Sequence, residues 1–101
     1  MTDIKITLPR EKIEAFCQKW KISELSLFGS VLSEEFRSDS DIDVLVSFAS
    51  DAHWGLFEFV DMTDELEAIF GRKVDLVEKE ALRNPFRRKR ILSNKEIVYA
   101  A

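Results

Sequence analysis

Apolar residues recur along this chain with two different periods, and the switches between them lay out its elements. In P-R-E-K-I-E-A-F-C-Q-K-W, Pro9 to Trp20, the apolar positions are Ile13, Phe16, Cys17 and Trp20. That is the three-and-four spacing of one helix face, and proline suits a first helical turn. Leu25 to Phe28 reads as a short strand running into Gly29. Ser30 to Phe36 is expected to open a helix whose first amides point at whatever Gly29 leaves room for, and Arg37 to Ser40 is a polar turn. From Ile42 to Phe48 the period drops to two, with Ile42, Val44, Val46 and Phe48 on one face of a strand and Asp43, Leu45 and Ser47 on the other. After a loop from Ser50 to Trp54, Gly55 to Phe70 reads as the longest helix. Its buried stripe is expected at Leu56, Phe59, Val60, Thr63, Leu66 and Phe70, and Gly71 is a natural stop. Lys73 to Val77 is a third strand, Glu80 to Leu82 a helical turn ended by Asn84-Pro85, Phe86 to Leu92 a short basic helix, and Glu96 to Tyr99 a final strand. Helices and strands thus alternate through the chain, which predicts an α+β domain with helices packed on a mixed sheet.

Candidate chemistry gathers around the second strand. Asp41 and Asp43 are one residue apart at its entry, so strand alternation gives them one face. Two carboxylates on one face repel, and burying even one without a partner is costly. A divalent cation relieves that cost, and hard oxygen ligands suit Mg²⁺, which takes one or two carboxylates and completes its shell with water and substrate phosphates. Ten residues before Asp41 stands the pair Gly29-Ser30. Glycine permits close backbone approach, and serine adds a hydroxyl at a helix start favourable to anions. Asp75 lies between Val74 and Leu76 on the third strand, so it joins the face of Asp43 if the two strands are neighbours. A third carboxylate beside such a pair can bind metal or accept the proton of an attacking hydroxyl.

The chain of 101 residues, with 46% hydrophobic and 34% charged residues, is expected to fold as a single domain over 1–101. Its net charge of −4 argues against broad nucleic-acid binding, so no direct DNA binding is expected. Positive charge is concentrated in R-R-K-R, Arg87 to Arg90. One cysteine, Cys17, allows neither an internal disulfide nor a zinc cluster of cysteines. With no apolar run of membrane-spanning length and no secretory leader, the expected location is the cytoplasm, with no membrane partner.

The combination of Gly29-Ser30, ten residues, Asp41-x-Asp43 and a later strand aspartate, Asp75, resembles the minimal nucleotidyltransferases of the polymerase-beta-like superfamily. Within that group, F-G-S-V-L followed by F-R-S-D-S-D-I-D-V-L-V, then G-R-K-V-D-L-V and a C-terminal E-I-V-Y-A-A, is similar to the MNT-domain proteins usually encoded beside a HEPN-domain RNase toxin. The resemblance spans most of the chain and implies the polymerase-beta-like core. It also implies that Gly29 and Ser30 hold the triphosphate of ATP, that Asp41, Asp43 and Asp75 form the catalytic and Mg²⁺-binding set, and that Asp75 helps activate the incoming hydroxyl. The implied reaction is that of an antitoxin: AMP passes to a tyrosine of the HEPN toxin partner and pyrophosphate leaves. Where many relatives carry basic residues shortly after the Gly-Ser, positions 31 to 35 here are V-L-S-E-E, leaving Arg37 as the nearby cation expected to meet phosphate.

Other readings of the same residues stand beside these. Ser30 also serves as a helix N-cap, and Asp39 is a turn residue rather than a ligand because it precedes the strand. Asp61, Asp64, Glu65 and Glu67 read as the solvated face of the long helix. His53 has no second histidine to share a metal, and Cys17 sits on an apolar stripe as a small buried hydrophobe. The Arg87 to Arg90 cluster is a solvated helix face, a partner-binding patch, or an aid to nucleotide or RNA. Trp54, Leu56 and Phe57 are core or an exposed contact. In function, the alternatives are the same chemistry on another protein or a small molecule, and a non-catalytic subunit that neutralises its partner by occlusion.

Overall fold

The computed structural model describes residues 6–37 and 39–101. The first helix, α1 (Arg10–Lys19), buries Ile13, Phe16 and Cys17, with Trp20 closing the stripe one residue beyond its end. The chain reverses at Lys21 (φ 55°) and enters β1 (Ile22–Phe28). This strand starts three residues earlier than the sequence pattern suggests. Ser23 and Glu24 hide its beginning as polar residues, yet Ser23 donates to the Ser47 carbonyl and Glu24 pairs with Lys95.

The helix expected from Ser30 to Phe36 is a single 3-10 turn, Gly29–Leu32. Ser33 ends it: its amide and hydroxyl both donate to the Ser30 carbonyl, at 2.9 and 3.1 Å, and its Oγ accepts the Glu35 amide at 3.2 Å. Serine here satisfies locally the groups that a continuing helix would have to pair. Strand β2 (Ile42–Phe48) has the bounds its alternation predicts. The long helix α2 (Leu56–Phe70) begins after Gly55, whose amide donates to Glu58, and ends at Gly71 in the left-handed conformation, φ 72°. Strand β3 (Val74–Glu78), a 3-10 turn (Lys79–Ala81), helix α3 (Pro85–Asn94) and strand β4 (Glu96–Ala100) complete the described chain. Asn84 caps α3, its Oδ1 accepting the amides of Phe86 and Arg87, and Pro85 occupies the first turn.

The four strands form one mixed sheet in the order β3-β2-β1-β4, with β2 and β3 parallel and the other neighbours antiparallel. Parallel strands need a crossover, and α2 supplies it. Residues Leu25, Leu27, Ile42, Val44, Val46, Val74 and Leu76 turn to one side, where α1 and α2 cover them through Ile13, Phe16, Met62 and Leu66. Phe28 and Leu45 turn to the other side and meet Leu82 and Ile91, so α3 covers one part of the second face. The sheet alternation therefore divides two hydrophobic clusters, with the site lying on the α3 side.

The packed stripe of α2 differs from the expected one. Met62 and Leu66 are its buried centre, with Phe59, Ile69 and Phe70 partly buried around them, while Leu56 and Val60 are 77% and 50% exposed. Leu56 continues the three-and-four spacing, but no described residue covers its side chain. Two carboxylates placed on the solvated side also have structural partners. Glu65 accepts from Trp20 Nε1 and Lys19 Nζ, both at 2.9 Å, and Glu67 accepts the Val74 amide at the start of β3. Trp54 stacks edge-on against Trp20, with 5.1 Å between ring centroids, and donates to the Trp20 carbonyl. Cys17 is buried, and desolvation pushes its thiol up to about 12, leaving an inert apolar group.

The burial pattern predicts opposite outcomes for two leucines of one helix. Leu66→Ala should cost about 2–5 kcal/mol in urea unfolding because it leaves a core void, whereas Leu56→Ala should change stability by no more than about 0.5 kcal/mol. Equal losses would contradict this orientation of α2.

Candidate active site

Each strand places one piece of the site by register. Asp43 is the register partner of Phe28 on antiparallel β1 and of Asp75 on parallel β3. Residue partners in neighbouring strands point to the same side of a sheet, so Asp43 and Asp75 face one cavity. Gly29 follows Phe28 directly and adopts φ 77°, a conformation that side chains with a Cβ rarely take. A Cβ built at Gly29 would stand 2.1 Å from Asp43 Oδ2. Glycine is thus required twice, by backbone conformation and by the carboxylate pressed against it.

The cavity has a volume of about 640 Å³. Gly29, Ser30, Ser33 and Glu35 line it from the 3-10 turn and the residues after it, Asp43 and Asp75 from the sheet, and Arg87, Arg90, Ile91 and Asn94 from α3. Desolvation raises the Asp43 carboxyl to about 6; the negative charges of Asp75 and Asp41 add to the rise, and Arg87 opposes it. Since folding raises this value above the ordinary 3.8, the folded state holds the extra proton between pH 3.8 and about 6. Stability contributed by Asp43 is therefore greatest at low pH and falls as pH rises through that window.

The sequence-predicted residues occupy unequal positions. Gly29, Ser30, Asp43 and Asp75 line the cavity. Asp41 is exposed just before β2, outside the lining, close enough for its charge to act on Asp43. Arg37 is also exposed and outside the lining, its amide donating to Ser40 Oγ and its carbonyl accepting from Arg72. Among the described residues, no three His, Cys, Asp or Glu side chains converge closely enough to enclose a metal ion. The expected set of Asp41, Asp43 and Asp75 is thus an adjacent pair with Asp41 beside it.

Sequence reasoning passed over Arg72. Its Nη1 donates to the carbonyls of Arg37 and Ser40, each at 3.1 Å, and its guanidinium lies 4.6 Å from the Phe36 ring centre. Arg72 thereby ties the turn preceding Asp41 to the start of β3. The one hint in the sequence was a basic residue immediately before the third strand. The orientation of Arg87 and Arg90 was equally hidden, since R-R-K-R shows charge without direction.

Residues 9–98 match the sequence profile of the nucleotidyltransferase domain family. The chain is 32% identical over 99 residues, 98% of its length and 96% of the relative's, to a Methanocaldococcus jannaschii protein bearing the name protein adenylyltransferase. It is 36% identical over 67 residues, 66% of each chain, to protein adenylyltransferase MntA of Thermococcus cleftensis. Among solved structures, one described as a minimal nucleotidyltransferase superposes with a TM-score of 0.70 at 31% identity, covering 86% of each chain. A chain from a toxin–antitoxin crystal structure with AMP-PNP gives a TM-score of 0.75 at 20% identity, over 93% of this chain and 75% of that one. A chain from the tri-AMPylated Shewanella oneidensis HEPN toxin in complex with MNT antitoxin gives 0.66 at 19% identity, over 91% and 70%. The last two likenesses are of fold.

The close packing of Gly29 against Asp43 yields a prediction for a double-mutant cycle. Gly29→Ala should destabilise the chain by at least about 1–2 kcal/mol, the cost of a left-handed backbone for an L side chain, plus the steric clash. Part of that loss should vanish in an Asp43→Ala background, where the carboxylate is gone. Additive losses in chemical unfolding would contradict the contact.

Proposed function

The chain belongs to the nucleotidyltransferase domain family, with relatives named protein adenylyltransferases, and on that footing we propose that it transfers AMP from ATP to a tyrosine hydroxyl of a HEPN-domain toxin, acting as that toxin's antitoxin. The observation that carries the reading is the placement of Gly29-Ser30 against the register-paired Asp43 and Asp75 in one cavity. In this reading Gly29 lets the main chain approach the nucleotide closely, and the Ser30 hydroxyl and amide meet phosphate oxygens. Arg37 lies outside the cavity lining, so this reading assigns it no phosphate.

The donor set suits a hard divalent cation. Asp43 and Asp75 are neighbouring carboxylates whose mutual repulsion a cation relieves, Asp41 adds negative charge from outside the cavity, and Mg²⁺ needs only one or two protein carboxylates when phosphates complete its shell. A bound Mg²⁺ would supply neutralisation of the charge on the α-phosphate and on the departing pyrophosphate. The residues of the chain do the rest. The cavity orients the α-phosphorus toward the acceptor, and the Asp75 carboxylate accepts the tyrosine proton as the tyrosine oxygen bonds to that phosphorus. The bond from α-phosphorus to the bridging oxygen breaks, and that oxygen leaves with pyrophosphate. The support for a protein acceptor is the relatives' shared name and the toxin–antitoxin assemblies among the structural neighbours.

Incubating the chain with MgATP and a HEPN-domain toxin from the same genome should add AMP to that protein, read as a mass increase on a tyrosine peptide. Asp43→Ala and Asp75→Ala should each lower the rate by at least about 100-fold, the order of effect of losing a positioned catalytic group. Transfer to a different protein or to a small molecule would keep the chemistry and replace the acceptor. Full neutralisation of the toxin by both variants with no mass increase would instead make the chain an occluding subunit.

A further inference from the structure

Arg87, Arg90, Ile91 and Asn94 all line the cavity, and their spacing of three, four and seven residues defines one face of α3. Ile91, at 7% exposure, packs with Phe28, Leu45 and Leu82 and fixes that face toward the sheet. The four basic residues therefore divide. Arg88 donates to the Lys79 carbonyl at 2.8 Å and anchors the helix to the preceding turn. Lys89 does not line the cavity, whereas Arg87 and Arg90 do. Neither of these two arginines makes an ion pair with a carboxylate among the described residues.

The cavity's charge balance requires a cationic wall if a polyphosphate is to enter. Glu35, Asp43 and Asp75 contribute three carboxylates, and Arg87 and Arg90 contribute its guanidinium groups. The turn that could have offered a helix N-terminus has only the four residues Gly29–Leu32. The residues following it include Glu34 and Glu35 in place of bases. From this juxtaposition we propose that Arg87 and Arg90 grip the outer phosphates of a nucleoside triphosphate, orienting its polyphosphate tail across the cavity from Asp43 and Asp75. The assignment rests on the nucleotidyl-transfer reading above and gives that site its phosphate-binding side. The planar guanidinium fork suits phosphate oxygens in paired contacts.

The test is equilibrium binding of MgATP, AMP and inorganic triphosphate to the full chain and to Arg87→Gln, Arg90→Gln and Lys89→Gln, with thermal unfolding of each variant. All three side chains are exposed, so the fold should be retained. Each arginine variant should bind MgATP and inorganic triphosphate roughly 10-fold or more weakly, as expected for losing a charge-assisted contact. AMP affinity should change by no more than about 3-fold, since AMP lacks the outer phosphates, and Lys89→Gln should have no more than about a 2-fold effect on any ligand, as for a surface charge outside the site. Arginine variants that bind MgATP within twofold of wild type, or that lose no more than Lys89→Gln, would overturn the assignment and leave the nucleotidyl-transfer reading in place. A wild-type chain that binds no MgATP would overturn both.

Discussion

The site depends on one unfavourable juxtaposition, the pairing of Asp43 with Asp75 across parallel strands beside Gly29. Like charges side by side would separate in a flexible chain. Here the hydrophobic core holds them. Ile42, Val44 and Val46 on one strand and Val74 and Leu76 on its neighbour alternate with the aspartates and are buried under α1 and α2. Sliding β3 by one residue would turn Asp75 into that core and Val74 and Leu76 out of it, so the register is locked by far more apolar burial than the carboxylate repulsion can offset. The charged face is a consequence of the packed one.

Around that pair, the surrounding elements supply what the sheet cannot. The 3-10 turn brings Gly29 and Ser30 alongside Asp43, and Ser33 ends it before it becomes a helix. Arg72 pins the loop that presents Asp41, and α3 closes the cavity with two arginines held in place by Ile91. Residues from widely separated parts of the chain thus meet across a cavity of about 640 Å³, on the face of the sheet that α3 covers only in part.

Much of this was legible in the sequence because it followed a period. The run from Ile42 to Phe48 alternates cleanly, and its bounds and two faces follow from strand geometry alone, while the shared side of Asp43 and Asp75 needed in addition the pairing of β2 with β3. The mixed sheet packed by helices and the family membership were likewise readable, from element order and from Gly29-Ser30 with the later aspartates. What escaped was set by tertiary contacts. The start of β1 at Ile22 is masked by Ser23 and Glu24, whose partners lie on other strands and loops. The α2 stripe shifted because coverage by the described residues, slight at Leu56 and partial at Val60, decides burial where spacing alone is ambiguous. Arg37 is the cation nearest Gly29-Ser30 in sequence, yet it lies outside the cavity lining, and the cationic wall comes from Arg87 and Arg90 on α3.

The most direct test of this account is the titration of the Asp43 carboxyl carbon by NMR in the wild-type chain and in Asp75→Asn. An apparent value near 6 is expected in the wild type, because the group is desolvated, faces Asp75 and feels the charge of Asp41. Removing the Asp75 charge should lower it, with burial alone maintaining the remainder of the rise. A value near the ordinary 3.8 in the wild type, or one unmoved by Asp75→Asn, would mean that the two carboxylates do not share a site.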